Sequence, residues 1–96
     1  MTVTYHPSVQ RDVNRILKHY EEISSRLADE FWDELLGSIA AAAKNPDRFH
    51  FAEEGLRRVN LQKFPYHFLF RNMVGRIRIT VVRHNKRHPK HAAHRR

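Results

Sequence analysis

The chain has 96 residues, enough for one compact domain and too few for two. It contains no cysteine, which excludes disulfide scaffolds, thiol catalysis and Cys-ligated metal sites. No apolar run reaches the ~20 residues of a membrane span, and Met1 to Pro7 lacks a signal-peptide layout, so a cytoplasmic protein without a membrane partner is expected. The charge is divided unevenly: residues 1–54 hold six Lys/Arg and all ten Asp/Glu, net −4, whereas residues 55–96 hold twelve Lys/Arg and no acid, net +12. A field of that size steers a protein towards phosphate-rich or acidic partners.

Thr2-Val3-Thr4-Tyr5 alternates and is β-branched, which predicts a first strand. Pro7 suits the first turn of a helix, and Val9, Val13, Ile16, Leu17 and Tyr20 then form one apolar stripe. Ser24 or Ser25 can cap a second helix. Its stripe is Leu27, Phe31, Leu35, Ile39 and Ala42. Trp32, Leu36 and Ala40 widen that stripe and imply cover on more than one side, with Trp32 in the core. Lys44-Asn45-Pro46 ends the helix, giving an αα-hairpin.

Residues 47–55 show no period and read as a loop. Beyond Gly55 the period becomes two, predicting strands at 56–61, 64–71 and 76–84 joined as an antiparallel meander. Phe64, Tyr66, Phe68 and Phe70, with Val59, Leu61, Ile77, Ile79 and Val81, make a greasy face for the helices. The opposite face is expected to be open and basic, carrying Arg58, His67, Arg71, Arg78 and His84. Arg57 and Arg58 point to opposite faces, and one is expected to pair with Glu53 or Glu54. The domain is placed at 1–84. Residues 85–96 are read as a disordered basic His/Arg-rich tail making nonspecific phosphate contacts. His84, His88, His91 and His94 do not suggest a metal site, because Pro89 interrupts helical spacing and no carboxylate is near. No cofactor is expected. The fold class is α+β, β-α-α-β-β-β, with a helical hairpin on one face of a mostly antiparallel sheet.

Several segments, in this order and spacing, carry a family likeness: Val3-Thr4-Tyr5-His6-Pro7, Asn45-Pro46-Asp47-Arg48-Phe49, Leu56-Arg57-Arg58-Val59, residues 64–71 (FPYHFLFR), and residues 77–84 running into Asn85-Lys86-Arg87-His88-Pro89. Over about nine-tenths of its length the chain resembles the RelE/ParE toxin superfamily of bacterial type II toxin–antitoxin systems. The Phe-Pro-Tyr strand and the ending His84, Arg87, Pro89 look more like the ParE or plasmid-stabilisation branch. The resemblance implies a cognate antitoxin that wraps the toxin, and one of two targets. ParE-like members poison DNA gyrase and cut nothing; RelE-like members cut messenger RNA on the ribosome.

Cleavage requires proton transfer at the 2′-hydroxyl and the 5′-oxygen and stabilisation of a pentacovalent phosphate. By resemblance, a nuclease would use His84, His67 and Arg71 as catalytic residues, with Arg58, Arg78 and Arg83 balancing charge. A gyrase inhibitor would use Arg58, Arg71, Arg78, Arg83, His84 and Arg87 for target binding. Asn85-Lys86 follows His84 where the ribonucleases end in Tyr or His-Tyr, and the strand half holds no Asp or Glu, which favours the gyrase reading. A non-toxic nucleic-acid-binding module is the third reading, and homodimerisation through the helical hairpin is an open expectation.

Overall fold

A computed structural model describes residues 1–87, 92, 94 and 95. The elements in chain order are β1 (Thr2–Tyr5), α1 (Val9–Ile23), α2 (Ser25–Lys44), a 3-10 turn (Pro46–Arg48), β2 (Phe51–Glu53), β3 (Leu56–Asn60), β4 (Tyr66–Met73) and β5 (Arg76–His84). They build a five-stranded sheet in the order β1-β5-β4-β3-β2, parallel only where β1 meets β5. Both helices lie on one face. The expected α+β architecture is present, with one strand more than expected.

Each boundary has a local cause. Ser24 alone separates the helices, and its hydroxyl accepts the Leu27 N–H at 3.1 Å, satisfying a donor that the first turn of α2 leaves unpaired. Val9, Val13 and Ile16 of α1 meet Phe31, Leu35, Ile39 and Ala42 of α2 over Val59, Phe68, Phe70, Ile77 and Ile79 of the sheet. Glu34 of α2 holds the β3–β4 link by accepting the Gln62 N–H, and the Lys63 N–H at 3.0 Å. Gly75, at φ 75°, closes the two-residue turn between β4 and β5.

The structure departs from the expected faces in four places. The stretch read as a loop contains β2, which turns into β3 through Glu54 and Gly55, both at positive φ. Thr80 is an extra residue in β5, because Leu69 pairs with Val81 but Phe70 pairs with Ile79. This bulge reverses the alternation beyond it. Val82 therefore joins the helical core, while Val81 joins Leu56 and Leu69 on the other face.

Third, that face is not open at its centre: Leu56, Leu69 and Val81 are each at most 1% exposed, and Ala92 packs on them. Asn85, Ala92 and Arg95 all contact the body, so at these positions the tail is part of the folded unit. His88, Pro89 and His91 lie outside the described residues. Fourth, Trp32 and Leu36 are 41% and 43% exposed, so only one side of α2 is covered. With Tyr5, Val9, Val13 and Leu17 they line a groove of about 650 Å³ along the hairpin.

Candidate functional site

The second face of the sheet carries a chain of polar contacts that starts at β2 and ends after β5. Glu53 Oε1 accepts from Arg83 Nη2 at 2.9 Å, and Arg83 Nε donates to His67 Nε2 at 3.0 Å. His67 Nδ1 lies 2.8 Å from Asn85 Oδ1. Arginine only donates, so the hydrogen of the neutral ring sits on Nδ1 and is given to Asn85. Arg58 closes the chain, donating to Asn60 Oδ1 at 2.8 Å and to Asn85 Oδ1 at 3.5 Å.

This chemistry fixes the protonation of His67. The residue is 1% exposed, and burial lowers its pKa to about 4, with the charges of Arg58 and Arg83 acting in the same direction against the Asn85 hydrogen bond. At neutral pH it is an uncharged imidazole with both nitrogens occupied. Arg83 is 6% exposed and is held between a carboxylate and an imidazole, the fully paired environment a buried guanidinium needs.

The sequence-derived candidates are thus brought together only in part. Arg58, His67 and Arg83 form one connected group. Arg71 and Arg78 face each other across β4 and β5 at the other end of the same face, each half-buried. His84 and Arg87 leave the group altogether. The bulge at Thr80 turns His84 to the helical side, where its ring lies 5.0 Å from that of Tyr66 in edge-on contact. Arg57 does point away from Arg58, but it pairs with neither Glu53 nor Glu54. It donates to the Phe49 carbonyl at 2.7 Å, lies 3.6 Å from Asp47 and stacks on Phe51.

Four residues of consequence were not among the candidates. Glu53 and Asn85 lay in segments read as loop and tail. Arg95 reaches Asp12 with Nη1 at 2.6 Å and Nη2 at 3.2 Å, and Asp12 also accepts the Val82 N–H at 3.2 Å, on the stretch of β5 beyond its pairing with β1. Asp12 was detectable: it sits three residues after Val9 and four before Ile16, a carboxylate on a buried stripe. Among the described residues no three His, Asp or Glu side chains converge as a metal-binding group, and no helix is long and apolar enough to cross a membrane.

A helical hairpin over one face of this sheet order, with β1 parallel to the last strand of an antiparallel meander, is the RelE/ParE-like fold. The chain is similar in structure to a chain of the chromosomal ParDE toxin–antitoxin system from P. aeruginosa, with a TM-score of 0.76 over 88% of this chain and 95% of that one, at 16% sequence identity. At that identity the likeness is one of fold. No protein family and no curated protein matches the sequence.

Proposed function

We propose that the protein is the toxin of a type II toxin–antitoxin system, a growth inhibitor that acts in the ParE manner by poisoning DNA gyrase and that a cognate antitoxin neutralises. The observation that carries the choice of target is the state of His67. A ribonuclease on this sheet face needs a group free to take and return a proton. His67 is uncharged, buried and hydrogen-bonded at both nitrogens, and Glu53, the carboxylate that reaches this face, is committed to Arg83. The face is better suited to docking than to proton transfer, with Arg58, Arg71 and Arg78 as its half-buried cations. The structural likeness to the ParDE chain supports the toxin–antitoxin assignment, and the apolar groove beside Trp32 and Leu36 offers an amphipathic antitoxin segment a seat.

The test pairs two reactions on the same purified protein. Gyrase is assayed for supercoiling and for cleaved plasmid, and ribosomes paused on a defined message are probed by primer extension. The expected result is inhibited gyrase and intact message. A cut at the A-site codon, lost in His84→Ala or Arg71→Ala, would replace this reading with the ribonuclease one.

A further inference from the structure

On the helical side of the sheet, where α1 passes the end of β5, lies a second small cavity of about 110 Å³ lined by Asp12, Arg15 and His19 of α1, Tyr66 of β4, His84 at the end of β5 and Arg87 beyond it. Arg83 also lines it, but the Arg83 guanidinium is engaged on the opposite face by Glu53 and His67. Its character is set by which of its groups are already engaged. Asp12 is its one carboxylate, and both oxygens are taken, by Arg95 and by the Val82 N–H. His84 Nδ1 accepts the Lys86 N–H at 3.0 Å, which puts the hydrogen of the neutral ring on Nε2 as a free donor. Burial raises the Tyr66 phenol above its ordinary value, against the opposing charge of Arg87, so its O–H remains a donor at neutral pH. Neither Arg15 nor Arg87 pairs with an acid among the described residues. The carboxylate lining the cavity is engaged, and Arg15, Arg87, His84 Nε2 and the Tyr66 hydroxyl are left to meet a ligand as cations or donors.

We infer that this notch binds the phosphate group of a nucleic-acid backbone, with Arg15 and Arg87 supplying charge and His84 Nε2, Tyr66 and His19 supplying further hydrogen bonds. A volume of about 110 Å³ admits a tetrahedral oxyanion, and a contact to a backbone phosphate carries no sequence preference. Donors converging from a helix, a strand and the chain beyond β5 suit four tetrahedral oxygens better than the two coplanar oxygens of a carboxylate. The inference stands apart from the choice between gyrase and ribosome, because it concerns the isolated chain.

The test is a two-dimensional NMR titration of the full-length protein at pH 7.5 and constant ionic strength. Inorganic phosphate is one probe, a five-nucleotide thymidylate DNA the other, and sodium chloride the reference. Saturable shifts are expected at the His19 and His84 rings and at Arg15 and Arg87, with both probes. Arg87→Gln is expected to weaken both about tenfold, as loss of one charge-assisted contact would. Arg76→Gln, an exposed change at the far end of β5, should leave them as they are. Shifts with phosphate alone would keep the site but make its ligand free phosphate, overturning the backbone source. No saturation beyond the chloride reference, or an Arg87→Gln protein that binds like the wild type, would overturn the site. So would preferential capture of a Glu-rich peptide at the same residues.

Discussion

The two faces of the sheet are closed by different physics. On the helical face sixteen buried apolar residues among those described, Phe31, Phe68 and Phe70 included, exclude water by area alone. On the other face four apolar residues are ringed by a carboxylate, two arginines, a histidine and two amides, each needing a particular partner at a particular angle. Burial of apolar area is non-directional and tolerates small shifts. The hydrogen bonds of buried His67 and Arg83 do not, since a displaced partner leaves an unpaired polar group in a low dielectric. The first face accounts for the stability of the fold, and the second holds Arg58 and Arg83 in fixed positions.

The largest effect should come from breaking the first face. Phe31 is fully buried and touches Tyr20, Phe64 and Tyr66 ring to ring at 5.4–5.8 Å. Phe31→Ala is expected to cost about 3–5 kcal/mol in denaturant unfolding. A loss under 1 kcal/mol would mean that the hairpin is not the main source of stability.

The second face should show itself through pH. An unfolded histidine takes up a proton near 6.5, whereas folded His67 does so only near 4, because burial first and the neighbouring arginines second disfavour the charged ring. Between those values the unfolded chain binds more protons, so stability is complete above pH 6.5 and declines as the pH falls towards 4. The loss due to His67 is about 3 kcal/mol over that window, from the size of the shift. The pKa of His6 is also lowered, chiefly by burial, and adds to the decline with the same sign. His67→Gln should therefore flatten the pH dependence of unfolding without abolishing it. An unchanged slope would place the titration elsewhere.

The same division explains what the sequence disclosed. Period and composition were enough for the helices, the Ser24 cap and the strands that carry Phe68 and Ile79, because the face closed by apolar area writes itself as repeated apolar spacing. The polar face has no such signature. Its members come from β2, β3, β4, β5 and the residue after β5, and their pairing depends on one inserted residue. Ile77, Ile79, Val81 reads as unbroken alternation, and the only trace of the bulge is the doublet Val81-Val82 ahead of Arg83. Shifting by one position there exchanges Arg83 and His84 between faces, and with them the expected site. β2 escaped for a related reason: a three-residue strand turning through Glu54 at φ 43° shows neither alternation nor a favoured turn pair.

Asp12 and Arg95 tie the two faces together, and they allow the smallest of these effects to be separated from the rest. Asp12→Ala removes the acceptor of a buried N–H on Val82 and the partner of Arg95, which can still bond the Thr80 carbonyl at 3.3 Å or turn to solvent. The expected cost is about 2 kcal/mol, that of one unsatisfied buried donor and a lost charge-assisted bond. Arg95→Ala instead leaves a carboxylate that is 5% exposed with a single N–H donor. If the pair fastens the chain end across the edge of β5, the double variant should be less destabilised than the sum of the singles by at least about 1 kcal/mol. Amides around Leu69 and Val81, under Ala92, should then exchange faster in each single variant while those beneath Phe31 keep their protection. Strict additivity with unchanged exchange would show that Ala92 stays seated without the clasp, and that the second face closes through its own apolar and polar contacts.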